Sequence, residues 1–257
     1  MMLGSRFFLC AALIATCFGL ADVRADMTLD LTRSGASGYI NGAYFVQGNF
    51  ASAGTGAIDS FVRIQTNQAV ERGFNTDARP LQFHENNSAN FSRSLLLADV
   101  PIVSINGTDY REFLLDINEA KGSEKKEKRF LSLDAIEIYL ADVGNIGRYR
   151  NLGTAVYDLD AGRGDNWIKL DAAVSKRPGS GSGDMLAYIP SALFVGDDYV
   201  YLYSKFGENC ANHGGYEEWS VREVETPPAV HAPAPGAALL GSVGLSLAGW
   251  LRRRQRS

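Results

Sequence analysis

Short runs of β-branched and aromatic residues, separated every few positions by Gly, Asn, Asp and Ser, fill residues 26–226 and leave little room for helix. The runs at 38–46, 58–64, 94–97, 108–117, 135–140, 155–159, 167–170, 185–189, 199–205 and 219–224 have the length and composition of strands. None carries a sustained 3.6-residue apolar period, although a short helical turn is expected at 190–194. The firmest local feature is Asn106-Gly107, set between the strand-like runs 100–105 and 108–115. Both residues tolerate the positive φ of a two-residue hairpin turn, so a hairpin is predicted there. Strands and turns at this density predict an all-β domain, either an antiparallel β-sandwich or a jelly roll. Roughly two hundred residues are enough to bury a sizeable core.

The two ends differ in kind from the body. Arg6, the apolar stretch 7–20 and the small side chains of Val23 and Ala25 read as a secretory signal peptide over 1–25, cut after Ala25. Its removal takes Cys10 and Cys17, leaves only Cys210 and excludes an internal disulfide. At the other end, 227–235 is a Pro/Ala linker, 236–251 is uncharged and apolar or small, and 252–257 carries Arg252, Arg253, Arg254 and Arg256. A helix over 236–251 spans roughly 24 Å, short of a roughly 30 Å hydrocarbon core. With Trp250 at the interface and the arginines snorkelling, 236–251 reads as a transmembrane helix whose basic tail stays in the cytoplasm.

Pro233 and Pro235, the short helix, and Arg252, Arg253 and Arg254, in that order, resemble the PEP-CTERM sorting signal of exosortase systems. Ala234 stands where that signal usually has Glu, and the resemblance is confined to 233–256. It implies a precursor in the inner membrane of a Gram-negative bacterium, processed first by signal peptidase. An exosortase-like membrane protease would then cut near 233–235, and the body would pass to the cell surface or extracellular matrix, where exopolysaccharide is the implied neighbour. The body itself resembles uncharacterised domains found ahead of such signals, a likeness that carries no activity with it.

Six of the 25 Lys and Arg lie outside residues 26–226 but only Asp22 of the 29 acids does, so the body holds 19 basic against 28 acidic side chains, a net of −9. Such a surface repels polyanions, and no nucleic-acid partner is expected. Catalytic chemistry is sparse as well. His84 and His213 are the only histidines in the body, and the Gly/Ser-rich 179–184 lacks the strand–Gly-x-Ser-x-Gly–helix frame of a nucleophile elbow. Cys210 and His213 have the spacing of half a zinc site, with no second pair to complete it. No catalytic residue is therefore expected.

Three further features bear on binding. Asp158, Asp160 and Asp165, beside Gly162 and Gly164, make a partial calcium loop, although Asp and Gly also simply build turns. Calcium is the one cofactor the sequence suggests. The charged run 119–129 reads as a solvated loop. Tyr199, Tyr201 and Tyr203 alternate with Val200 and Leu202, so one face of that strand is a tyrosine stripe, either a platform for sugar rings or part of the core. Two functions follow as expectations. One is a non-enzymatic, secreted or surface-displayed matrix protein. The other is a carbohydrate-binding module for exopolysaccharide or another extracellular glycan.

Overall fold

A computed structural model describes residues 26–51, 59–119, 128–162, 164–174 and 182–222. The expected signal peptide, linker, transmembrane helix and arginine tail lie outside these residues, as does Arg163. The chain is all-β. Its strands are β1 (Thr28–Asp30), β2 (Ser37–Ile40), β3 (Ala43–Ala51), β4 (Ser60–Ile64), β5 (Glu71–Phe74), β6 (Leu95–Leu96) and β7 (Ile102–Ile105). They continue with β8 (Thr108–Ile117), β9 (Phe130–Ala141), β10 (Tyr157–Asp158), β11 (Trp167–Asp171), β12 (Ser182–Pro190), β13 (Tyr199–Phe206) and β14 (Glu217–Ser220). Short 3-10 turns occur at Leu97–Asp99, Tyr149–Asn151 and Ser191–Leu193, the last within the helical turn expected at 190–194. Among the described residues no helix is long and apolar enough to cross a membrane.

Two seven-stranded sheets form. The first runs β1-β11-β9-β13-β5, with β10 also on β9 and β6 also on β13. The second runs β2-β3-β12-β8-β14-β4, with β7 also on β8. Among the described strands only β1 pairs in parallel, against β11, with Thr28 opposite Trp167.

Two hairpins have the same origin. Asn106 (φ 52°) and Gly107 (φ 83°) close β7 onto β8, with Ile105 opposite Thr108. Asn41 (φ 48°) and Gly42 (φ 86°) close β2 onto β3, with Ile40 opposite Ala43. A single strand is expected through 38–46, and the structure folds it at Asn41-Gly42. Only residues that accept positive φ at both central positions can make this tight turn, whose twist matches that of the flanking strands.

The strands alternate as a two-layer arrangement requires. Leu133, Ile136, Ile138, Val200, Leu202 and Phe206 of the first sheet share one buried core with Phe45, Phe113, Leu115, Ala187, Ile189 and Trp219 of the second. Trp219 Nε1 donates to Ser204 Oγ at 3.1 Å, a hydrogen bond between the sheets. The opposite faces are also apolar. Phe74, Tyr139, Leu152, Tyr201 and Tyr203 cluster on the first sheet, and Tyr110, Leu114, Leu186 and Tyr188 on the second.

Candidate functional site

Tyr199, Tyr201 and Tyr203 project away from the shared core, which takes Val200 and Leu202 instead. Register sets Tyr201 opposite Tyr139, and Tyr203 between Glu137 and Phe74. Phe83 and Tyr149, from the connections after β5 and β9, pack over the stripe with ring centroids 6.2 Å and 4.5 Å from Tyr203. The Tyr201 hydroxyl donates to the Val143 carbonyl at 2.6 Å and accepts from the Ile146 N–H at 3.0 Å. Tyr201 is 1% exposed and Tyr203 6%. Neither ring keeps a face for a sugar, so of the two readings of the stripe, sugar platform or core, these two rings follow packing, in a cluster apart from the core shared by the sheets. The stripe instead roots the covering loops on the sheet. At its margin the Tyr139 and Tyr149 hydroxyls both donate to Glu137 Oε2, and burial followed by that carboxylate holds both phenols above their usual range.

The aspartates at 158–165 have local partners. Asp158 Oδ1 accepts from the Asp160 N–H at 2.8 Å, and Asp160 Oδ1 accepts from the Asn166 N–H at 2.7 Å. Asp165 donates its N–H to Asp26 Oδ1 at 3.0 Å. Asp158 Oδ1 and Asp160 Oδ1 thus act as turn acceptors. Among the described residues no group of three His, Cys, Asp or Glu is placed to hold a metal ion. Burial pushes Asp160 up to about 6, assisted by the Asp158 and Asp165 charges and opposed by the Asn166 N–H.

The histidines have separate local partners. His84 Nδ1 accepts from the Arg72 N–H at 3.2 Å, while the His213 N–H donates to Glu119 Oε1 at 3.0 Å. Glu119, expected in a solvated loop, is only 4% exposed. Cys210 is a free thiol, raised by burial, whose main chain is tied to Ser132 on β9. Two more carboxylates sit fully buried, on β5 and β14. Glu71 has no partner at Oε1, and Glu217 has none at either oxygen.

The most distinctive outward feature lies on the second sheet, where tyrosines from neighbouring strands line up across the strand direction. Tyr39 of β2 is opposite Tyr44 of β3, which is opposite Tyr188 of β12. Ring centroids are 4.6 Å apart for Tyr39 and Tyr44 and 6.1 Å for Tyr44 and Tyr188, with planes inclined by 31° and 21°. Tyr110 of β8 meets Tyr188 edge-on at 6.4 Å. Each aromatic contact adds about 0.5–1.5 kcal/mol beyond area burial, so the row holds its own geometry.

The surroundings fix the row further. Val46, Leu186, Leu114 and Phe50 pack beside it. A Cβ on Gly183 would meet Leu114 Cδ1 at 2.1 Å, so the glycine makes room for that leucine. Glu112, 1% exposed and opposite Tyr188, forms a two-pronged pair with Arg222 through Nε and NH2. Burial, followed by the Glu112 charge, pushes the Tyr188 phenol up to about 12, so it stays a hydrogen-bond donor at neutral pH. Because β2 ends its sheet, no ring beyond Tyr39 joins the row among the described residues, and Tyr39 is 53% exposed. The row therefore ends in one exposed ring, Tyr39, and runs inward through half-buried Tyr44 to Tyr188 and Tyr110, which are 9% and 7% exposed.

Sequence reading missed this row, yet one signal for it was present. Tyr39 lies two residues before Asn41, and Tyr44 two residues after Gly42. A hairpin at Asn41-Gly42 makes them a cross-strand pair by register alone.

No family model matches the chain, and no curated protein and no solved structure matches it.

Proposed function

We propose that the chain is an exported, non-enzymatic protein of a bacterial cell surface or extracellular matrix, whose two-sheet body is a β-sandwich that binds a glycan chain. The observation that carries this reading is the tyrosine row Tyr39–Tyr44–Tyr188 with Tyr110 beside it. The open face of Tyr39 suits the apolar C–H face of a sugar ring. The Arg222 guanidinium, held by buried Glu112, gives hydrogen-bond donors for sugar hydroxyls beside the row. Arg222 is 37% exposed at its side chain, enough to reach a ligand while still paired. The body charge of −9 favours a neutral or weakly charged polysaccharide over a polyanionic one.

Export and sorting support the same reading from the sequence. Signal peptidase and an exosortase-like protease would deliver the body to the compartment where such a polymer is found. Deleting residues 233–257 should convert a membrane-associated precursor into a soluble secreted protein. Fractionation of cells making the truncated chain checks this, and truncated protein that still sediments with membranes contradicts the sorting reading. For the binding function, a glycan array probed with the chain starting at Asp26 should give signal on neutral polysaccharides. The signal should be lost in Tyr39→Ala and kept in Tyr199→Phe, whose residue belongs to the other sheet.

A further inference from the structure

We propose that β2 is an interface on which two copies of this chain pair edge to edge, antiparallel about Gly38. The inference stands on the strand edge and does not need the glycan reading.

The phase of the β2–β3 ladder sets which groups face outward. The Gln47 N–H donates to the Ala36 carbonyl at 2.8 Å, and the register runs from Ser37 opposite Val46 to Ile40 opposite Ala43. Alternation then gives the main-chain groups of Gly38 and Ile40 to β3 and turns those of Ser37 and Tyr39 away from it. Among the described residues no strand lies beyond β2, Ser37 is exposed and Tyr39 is 53% exposed.

The other three strands that end the sheets are covered or charged. On β4, the Phe61 and Arg63 carbonyls accept from the Arg93 and Asn86 N–H groups at 2.9 Å and 2.7 Å. On β5, the Arg72 carbonyl accepts from the His84 N–H at 3.2 Å, and the Arg72 N–H donates to His84 Nδ1 at the same distance. The Phe74 N–H donates to Glu85 Oε1 at 3.0 Å. β1 carries Asp30, whose charged form is favoured by hydrogen bonds from the Thr32 hydroxyl and N–H. A second copy of that edge would meet like charge. Residues 35–40 hold no charged side chain and no proline, and β2 runs along β3 without a bulge. β2 thus lacks the guards that keep strand edges apart.

An occupant must present the same pattern of donors and acceptors in reverse, and a second β2 does so. A two-fold axis at Gly38 sets Ser37 of each copy opposite Tyr39 of the other, each pair exchanging N–H···O bonds in both directions. Gly38 puts no side chain at the axis, and Leu29 fills its inner side, with Cδ1 2.5 Å from where a Cβ would stand. Tyr39 lies on the outer face with Tyr44 and Tyr188, so the pairing brings two tyrosine rows end to end.

So short a strand pair should hold with a Kd on the order of 100 µM. Sedimentation equilibrium of the chain starting at Asp26, from about 10 µM to about 1 mM, should show a reversible dimer. Ser37→Pro removes an outward N–H and no bond to β3, and should raise Kd at least about tenfold. Ser37→Ala keeps that N–H and should leave Kd unchanged. Cross-linking reads the register independently. An equimolar mixture of Ser37→Cys and Tyr39→Cys chains, both carrying Cys210→Ser, should oxidise to a mixed disulfide dimer, since facing Cα atoms about 5.5 Å apart lie within disulfide reach. Each chain alone should cross-link far less. A chain that stays monomeric to about 1 mM overturns the interface. A dimer as strong in Ser37→Pro would belong to another edge, such as β7, and overturns it as well. Cross-linking no greater in the mixture than in either chain alone does the same.

Discussion

Glu71→Gln should raise the melting temperature of the chain starting at Asp26 by several degrees at pH 7, and should flatten its decline between pH about 4.5 and about 8. Glu71 is fully buried on β5, opposite Phe206 of the shared core. Oε2 accepts from the Thr66 N–H and Asn212 Nδ2, each at 3.2 Å, while Oε1 has no partner. Burial is the main cause that pushes its carboxyl from 4.5 up to about 8, with the Glu119 charge adding to it against the pull of the Thr66 N–H. The folded state therefore keeps a proton that the unfolded chain releases above pH 4.5. Stability is fullest below that value, falls as pH rises, and levels off once the folded carboxyl has also ionised near 8.

At pH 7 this linkage costs on the order of 3 kcal/mol. Gln has no proton to lose and keeps an acceptor for Thr66 and Asn212. A stabilisation of even ~2 kcal/mol moves the midpoint of a domain this size by roughly 4–8 °C. Thermal melts of both chains from pH 4 to pH 9 check it. Parallel melting curves at every pH would show that Glu71 ionises freely and would contradict its burial.

Trp219→Ala should cost about 3–5 kcal/mol, the range for truncating a large aromatic in a close-packed core. Trp219 is fully buried on β14, between Leu115 of β8 and Val62 of β4, and all three belong to the shared core. Its loss leaves a cavity and strands the Ser204 hydroxyl without its indole partner across the sheets. Trp219→Phe keeps most of the volume and should cost less. Urea unfolding measures both, and a loss below ~1 kcal/mol for the alanine variant would contradict a core shared by the two sheets.

Strand chemistry made the fold class legible, but pairing was legible only where a turn dictated it. Asn106-Gly107 announced its hairpin because strand-like runs flank it on both sides. Asn41-Gly42 has the same chemistry but sits inside one continuous β-rich run, where composition hides the fold. β5, with Glu71, Arg72, Gly73 and Phe74, reads as polar, and its strand character comes from register against β13. β1 is shorter still and owes its place to a parallel partner far along the chain.

The candidate sites show a related limit. Alternation put Tyr199, Tyr201 and Tyr203 on one face of a strand, but both faces of this sheet are apolar. Period alone cannot distinguish a shared core from a face covered by loops that carry Phe83 and Tyr149. For the aspartates, composition is the same for a turn and for a cation loop. What separates them is the direction of the oxygens, and Asp158 and Asp160 spend theirs on backbone N–H groups.

The central claim is that the outward tyrosine row binds a glycan chain, and calorimetric titration of a neutral extracellular polysaccharide into the chain starting at Asp26 tests it most directly. The row should give saturable binding that weakens at least about tenfold in Tyr39→Ala, the loss of roughly 1.4 kcal/mol. The melting temperature should stay nearly unchanged, because Tyr39 is half exposed on an end strand. Binding of equal strength in the wild-type and Tyr39→Ala chains, or no binding by either, would contradict the account.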